Sequence, residues 1–134
     1  MTSKVVYQGN LRTECTHEQS GSSFITDAPV DNNGQGKAFS PTDTVATALG
    51  SCMLTIMGIK AAQMEVDLKG SYAEVVKTMA ADPRRISEIH VQLFMPEEIV
   101  EKDREILQNV ALVCPVFNSL HPDMKKKIEF LWKL

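Results

Sequence analysis

The sequence predicts an α+β fold, in which strands joined as hairpins form an antiparallel sheet and two helices are inserted between the strands. Two observations predict this fold class. Short segments of alternating apolar and polar residues lie on both sides of one long apolar segment, and a second helical pattern near the C-terminus is amphipathic. The length is that of one domain, so we expect a single domain over residues 1–134.

A three-stranded meander is predicted at the N-terminus. Residues 4–9 and 11–17 are rich in strand-forming residues and are separated by a Gly-Asn turn signal, which indicates a hairpin. Ser23–Asp27 follows a second turn and supplies a third strand. Residues 29–39 contain glycines and asparagines and predict a loop that leads to the long helix.

The long helix is predicted over residues 40–64. Ser40 offers a hydroxyl as N-cap, Pro41 occupies the first helical position, and Asp43 can bond back to the cap. No further proline interrupts the segment, and its apolar side chains cover nearly the whole circumference. We therefore expect a buried central helix that runs through the core or through a subunit interface.

A second hairpin is predicted after this helix. Residues 66–80 alternate in part and indicate a strand, although 73–81 could also form a helix. Residues 86–95 have the clearest alternation of the chain, and an Asp-Pro turn separates the two segments. The two segments are therefore expected to pair.

The C-terminal part predicts a helix, a short helix and a last strand. Residues 98–112 place apolar side chains on one side and charged side chains on the other, which is typical of a helix facing water. Pro115 can begin a short helix, and residues 127–133 have a strand composition.

The charge distribution argues against nucleic acid or membrane partners. The chain has 14 Lys and Arg against 17 Asp and Glu, a net charge of -3 without long runs of one sign. The N-terminus lacks the apolar core of a signal peptide, and the apolar segment 45–59 is short for a membrane span. Three cysteines without close pairing fit a reducing compartment, so we predict a soluble cytoplasmic protein.

Two cysteines are candidates for chemistry. Cys52 lies inside the apolar helix, where a cysteine is often only a small hydrophobe, but Gly50 and Ser51 beside it would let a substrate approach. Cys114 directly precedes Pro115, so it can be the N-cap of the short helix, where the helix amides stabilise a thiolate. On the residues alone, Cys114 is the better activated thiol.

Other chemistries are disfavoured by spacing. The three histidines and three cysteines do not fall at the intervals that mark metal sites, and no phosphate loop or dinucleotide fingerprint is present. A cysteine in mid-helix also suits a Cys-His hydrolase poorly. Cys15 is expected in the core or at an interface. We therefore expect no metal and no organic cofactor.

The cysteine pattern resembles the OsmC/Ohr family of thiol peroxidases over nearly the full length of the chain. The matching features are a helix opened by Ser-Pro-Thr-Asp at 40–43, a cysteine in the Ala-Leu-Gly-Ser-Cys-Met segment at 48–53, and Cys-Pro-Val at 114–116. The order of the predicted elements is also similar.

The resemblance implies a fold and a reaction. The fold would be an intertwined homodimer with the two long helices at its centre. Cys52 would attack an organic hydroperoxide and become a sulfenic acid, and Cys114 would condense with it to form a disulfide. An external dithiol, typically of the lipoyl type, would then reduce the enzyme.

One position departs from the family pattern. The family peroxidases carry a Glu directly after the helix-opening proline, which holds a catalytic Arg against the thiolate, whereas this chain has Thr42. Asp43, one residue later, is the nearest acid, and it is equally suited to the capping box. Arg12 is the candidate cation from the N-terminal strands, with Arg84 and Arg85 as alternatives. A second reading is therefore an OsmC-like stress-related or small-molecule-binding protein with weak or no peroxidase activity.

Overall fold

The computed structural model describes all 134 residues. In chain order the elements are β1 (Ser3–Gly9), β2 (Arg12–His17), β3 (Ser23–Asp27), α1 (Pro41–Gln63), β4 (Tyr72–Ala80), β5 (Arg85–Met95), α2 (Glu101–Ala111), α3 (Pro115–Ser119) and β6 (Lys125–Trp132). The chain divides into two compact units, Met1–Val45 and Ala46–Leu134, and the division falls within α1. A single domain over residues 1–134 stays a prediction.

The first unit contains the predicted meander. β2 lies between β1 and β3, and both pairs are antiparallel. Asn10 and Leu11 adopt left-handed backbone conformations with φ of 52° and 61°, and they form the tight turn between β1 and β2. The meander is therefore confirmed.

Much of this small sheet is uncovered within the chain. Every residue of β1 except the last is exposed, including the apolar side chains of Val5, Val6 and Tyr7. Phe24 of β3 is also exposed. Exposed apolar side chains of this kind are more frequent at interaction sites than elsewhere on a protein surface.

The start of α1 has the predicted capping box. The backbone N–H of Asp43 donates to the Ser40 hydroxyl at 3.1 Å, and the backbone N–H of Ser40 donates to the Asp43 carboxylate at 2.9 Å. These two bonds satisfy donors that the first turn of a helix otherwise leaves unpaired.

The second unit contains the hydrophobic core. One face of β5 is buried from residue 89 to residue 95, and it packs with the buried sides of α1 and α2. The fully buried apolar residues are Leu49, Met53, Met57, Ile89, Val91, Leu93, Met95, Leu107 and Ala111. Alternation along β5 is thus the signature of a strand with one covered face.

Only one side of α1 is buried within the chain. Ala46, Leu49, Met53 and Met57 are buried, whereas Ile59 is exposed, so the expectation of a helix buried around its circumference is not met by one chain. An 18-residue window of α1 reaches a mean hydropathy of 1.5, which membrane spans and the core helices of soluble proteins both attain.

The sheet of the second unit corrects one expectation. β4 and β5 form the predicted antiparallel hairpin, so residues 73–81 are strand and not helix. β6, however, pairs with β5 in parallel, and the expectation of an antiparallel sheet is wrong for this pair. The chain between β5 and β6 contains α2 and α3, which supply the crossover that parallel neighbours require. The six strands also form two sheets of three strands each.

Candidate functional site

Two reduced cysteines lie together in the second unit. Cys52 is in the middle of α1 and is partly exposed, whereas Cys114 directly precedes α3 and is fully buried. The side chain of Cys52 raises the pKa of the Cys114 thiol, so the two thiols are close enough to interact. Two cysteines that are 62 positions apart in the sequence are thereby brought together by the core.

Cys114 is the N-cap of α3, as predicted. Its backbone is extended, with φ of -65° and ψ of 151°, and Pro115 follows at the first helical position. The backbone N–H of Phe117 donates to the Cys114 sulfur at 3.4 Å. The cap therefore fixes the orientation of the sulfur.

The protonation state of Cys114 differs from the sequence expectation. Burial raises the pKa of the Cys114 thiol above its ordinary value, and the neighbouring Cys52 side chain raises it further. The amides of Phe117 and Val116 act in the opposite direction, but burial prevails. The helix-cap stabilisation that the sequence predicts for the Cys114 thiolate is thus present through these amides, but desolvation outweighs it.

The turn of α1 that carries Cys52 lies close against the sheet. A Cβ atom added to Gly50 would be 2.9 Å from Cγ2 of Val75 and 3.4 Å from Cβ of Ala73. The glycine therefore permits a close approach of helix and strands that any side chain would oppose. Cys52, two residues later, packs at the margin of the same core.

The candidate arginines have different surroundings. Arg85 donates from Nη1 to the backbone oxygens of Ala81 and Pro83, at 2.9 and 2.8 Å, and so closes the turn between β4 and β5. Arg12, in the first unit, instead forms a two-bond ion pair. Its Nε donates to Oδ1 of Asp27 at 2.7 Å and its Nη2 donates to Oδ2 at 2.9 Å.

Asp27 is the partner of Arg12, and the sequence analysis did not identify it. Arg12 and Asp27 are directly opposite in the register of β2 and β3, so the pair joins neighbouring strands. Asp27 is 1 % exposed, while the Arg12 side chain is 30 % exposed. The sequence contained one sign of this pair, because Arg12 and Asp27 have opposite charges and lie on neighbouring predicted strands, with Asp27 as the last residue of its strand.

The pairing of Arg12 with Asp27 favours the charged form of each side chain. The Arg12 guanidinium, mainly through its hydrogen bonds, lowers the pKa of Asp27 although burial opposes the shift. The backbone N–H of Lys37 also donates to Asp27 Oδ2, at 3.2 Å. The buried carboxylate is therefore ionised and has partners for both oxygens.

Asp43 has the capping role at the start of α1. The side chain of Thr42, at the position of the family Glu, lies beside the same cap, with its hydroxyl 3.2 Å from the Ser40 hydroxyl. A catalytic role for Asp43 stays a prediction.

The fold and the cysteine pair define a class of protein. Its members are α+β proteins with one thiol in a long helix and a second, interacting thiol at a helix N-cap. A family model described as OsmC-like protein matches residues 34–129. The chain therefore belongs to the OsmC-like family. None of the curated protein sequences compared with it matches this chain.

Solved structures agree with this assignment. A protein of Psychrobacter arcticus 273-4, described as an osmotic stress induced and detoxification response protein, is 57% identical, with a TM-score of 0.94 over 97% of this chain and 95% of that chain. An organic hydroperoxide resistance protein OsmC of Legionella pneumophila is 16% identical, with a TM-score of 0.76 over 96% and 94%. An organic hydroperoxide resistance protein of Vibrio cholerae, with captopril bound in one of its active sites, is 14% identical. Its TM-score is 0.75 over 97% of this chain and 91% of that chain. The last two show the shared fold alone.

Proposed function

We propose that this protein is a cysteine-based peroxidase that reduces organic hydroperoxides, with Cys52 as the attacking thiol and Cys114 as the resolving thiol. The observation that carries the proposal is the asymmetry of the thiol pair. Cys52 is partly exposed and open to a substrate, whereas Cys114 is buried beside it and its pKa is raised. A peroxide therefore meets Cys52 first, and Cys114 keeps its proton until it is needed.

The proposed reaction has three steps. The Cys52 thiolate attacks one peroxide oxygen, the O–O bond breaks, and the alkoxide leaves and takes a proton to become the alcohol. The resulting sulfenic acid on Cys52 condenses with Cys114, which forms the disulfide and releases water. A dithiol, of the lipoyl type by family resemblance, then restores both thiols by exchange. No metal and no organic cofactor take part.

A cation near the thiol would favour the reactive anion. By resemblance to the family, we assign this role to Arg12. In support, Arg85 is engaged in its own turn, whereas the Arg12 guanidinium is held by a carboxylate and is partly exposed.

We also propose that the protein is a cytoplasmic homodimer. Exposed apolar side chains of the first sheet and of α1, such as Tyr7, Phe24 and Ile59, support a second copy of the chain as the partner. Sedimentation of the purified protein tests this, since a species of one chain at micromolar concentration would contradict it. Three cysteines without close pairing in the sequence support the cytoplasm as the compartment.

The activity is tested by rapid mixing of the reduced protein with cumene hydroperoxide, followed by thiol counting. We expect the wild type to lose two thiols per chain at stoichiometric peroxide. Cys52→Ser should lose none, and Cys114→Ser should accumulate a sulfenic acid that dimedone traps on Cys52. Cys15→Ser is the matched control and should behave as the wild type. Thiols that survive excess peroxide would refute the proposal.

A second function is favoured by Thr42. Because the family peroxidases carry Glu at this position, the chain could instead serve as a stress-related or small-molecule-binding protein with weak peroxidase activity. Slow loss of thiols in the same assay, together with normal folding, would support this alternative.

A further inference from the structure

We propose that Lys126 is a positioning residue for the resolving thiol, because it holds the short helix α3 whose N-cap is Cys114. This inference rests on the proposed function, in which Cys114 condenses with the sulfenic acid of Cys52. It gives a task to the basic segment Lys125–Lys127, which the proposed reaction does not otherwise use.

The three lysines at the start of β6 do not face the same side of the sheet, because side chains alternate along a strand. Lys125 Nζ is 3.4 Å from Oε2 of Glu88, and Lys127 Nζ is 3.7 Å from Oε1 of Glu129. Lys126 lies on the opposite face and is partly buried. That face also carries three apolar residues that pack against the core, Ile128, Phe130 and Trp132.

The ammonium group of Lys126 contacts α3 and the segment that follows it. Nζ lies over the Phe117 ring, 5.3 Å from the ring centroid, and it donates to the carbonyl oxygen of His121 at 3.3 Å. The negative face of an aromatic ring attracts a cation. Lys126 therefore holds the helix at its aromatic residue and again just beyond its last residue, Ser119.

Phe117 is also the residue that bonds the resolving thiol. Its backbone N–H donates to the Cys114 sulfur at 3.4 Å, while its ring lies under the ammonium group of Lys126. The N–H of Asn118 donates to the carbonyl oxygen of Cys114 at 3.0 Å. A displacement of Phe117 would therefore also displace the hydrogen-bond partner that orients the sulfur.

The helix α3 depends on contacts with other elements. It has five residues, none of them buried, and a helix of this length is not stable through its own hydrogen bonds. The side-chain bonds of Asn118 and Ser119 are local, to the carbonyl oxygens of Val113 at 3.1 Å and Pro115 at 2.8 Å. Cys52, by contrast, lies in the middle of a helix of 23 residues. Of the two elements that carry the thiols, α3 is thus the one that needs an external hold.

The second chemical step is sensitive to this hold. The sulfenic acid of Cys52 and the thiol of Cys114 give a disulfide and water, which requires the sulfurs to approach to about 2 Å. A thiol that stays in place reacts at a high effective concentration, which falls as the thiol spends time elsewhere. Loss of Lys126 should therefore slow condensation and leave the attack of Cys52 on the peroxide unchanged.

The test is a competition between condensation and trapping in a single turnover. Reduced protein is mixed with stoichiometric cumene hydroperoxide and dimedone, and mass spectrometry gives the ratio of dimedone-labelled Cys52 to the Cys52–Cys114 disulfide. We expect Lys126→Met to raise this ratio about fivefold, since a cation–π contact at a partly exposed site corresponds to a factor of about two to five. The rate of peroxide consumption should be that of the wild type.

Lys125→Met is the matched control, because Lys125 is the adjacent residue, has the same charge and pairs with Glu88 on the other face. Its ratio should be that of the wild type. Lys126→Arg should restore the wild-type ratio, because a guanidinium also stacks on aromatic rings and donates hydrogen bonds. A wild-type ratio in folded Lys126→Met, the same change in Lys125→Met, or equal slowing of both steps would overturn the inference.

A second measurement needs only the wild-type protein. Protons above the face of an aromatic ring resonate upfield, so the Cε protons of Lys126 should be shifted upfield relative to those of Lys125. Equal positions for the two lysines would show that Lys126 does not hold the Phe117 ring. That result would overturn the inference even where Lys126→Met fails to fold.

Failure of the proposed function is distinguishable from failure of this inference. If the wild-type thiols survive excess cumene hydroperoxide while the Lys126 protons are shifted, the peroxidase assignment falls and the hold of Lys126 on α3 stands. If peroxide oxidises both thiols of the wild type and Lys126→Met leaves the ratio unchanged, the positioning role falls and the peroxidase assignment stands.

Discussion

Substitution of Gly50 by alanine tests the close packing of α1 beside Cys52. The new Cβ would be 2.9 Å from Cγ2 of Val75, whereas carbon atoms pack best at about 3.5–4.0 Å. Valine has little rotamer freedom with which to move away, and Ala73 at 3.4 Å limits a sideways shift. Helix and strand must therefore separate by about half an ångström or more.

Two opposing effects decide whether Gly50→Ala raises or lowers the free energy of unfolding. Replacing glycine by alanine within a helix stabilises it by about 1 kcal/mol. Overpacking of a tight core costs about 1–3 kcal/mol, and the rigid neighbours of Gly50 place this site in the upper part of that range. We therefore expect Gly50→Ala to lower the free energy of unfolding by about 1–2 kcal/mol.

Gly58→Ala is the matched control in the same helix. A Cβ at Gly58 would have no atom within 4 Å apart from the backbone of its own helical turns and its chain neighbours, so only the backbone effect remains. We expect Gly58→Ala to raise the free energy of unfolding by about 0.4–1 kcal/mol. Both variants are measured by urea unfolding at one protein concentration, with the fluorescence of Trp132, the single tryptophan, as the probe.

The packing argument is refuted if Gly50→Ala is as stable as the wild type or more stable. A loss of stability in Gly58→Ala would have a different meaning. It would indicate a second copy of the chain against that part of α1 and would leave the Gly50 result standing.

Three further predictions concern caps and charges. Ser40→Ala should lower the free energy of unfolding by about 1 kcal/mol in the same urea assay, because the N–H of Asp43 loses its acceptor. The Cys114 peptide should be alkylated only at a higher pH than an ordinary cysteine, because burial raises the pKa of its thiol; alkylation at neutral pH, followed by mass spectrometry, would contradict this. Because the folded-state pKa of Asp27 is lowered from 3.8, its pairing with Arg12 stabilises the fold fully above that pH and is lost as the pH falls through the folded-state value. Melting temperatures of wild type and Arg12→Gln should therefore differ at pH 5–7 and converge in acid, and a constant difference would argue against the pair.

Local signals predicted much of the fold. The capping box at Ser40 and Asp43, the hairpin turn at the N-terminus and the alternation along β5 are each determined by residues close in the sequence. The parallel pairing of β6 was not predictable in this way, because a strand composition does not say which neighbour it joins. The predicted start of α2, at residue 98, was three residues early, and the helix begins at Glu101.

The candidate site was predictable only in part. The resemblance selected Cys52 and Cys114, and the proline after Cys114 correctly indicated an N-cap. The raised pKa of Cys114 depends on burial by distant parts of the chain, which no local pattern reports. The partner of Arg12 depends on strand register, and a shift of one residue would have turned Asp27 to the other face.

The burial of Cys114 has a consequence for the choice of reductant. In the proposed cycle, a reducing thiol reaches the partly exposed sulfur of Cys52, and Cys114 is the leaving group. A thiol with a raised pKa is a poor leaving group, so this step is slow, and Cys114 stays beside Cys52, where it can attack the mixed disulfide again. A monothiol would be expelled again from the mixed disulfide, whereas a dithiol can close its own ring and escape. In the proposed cycle, we therefore expect the buried sulfur of Cys114 to favour dithiols over monothiols as reductants.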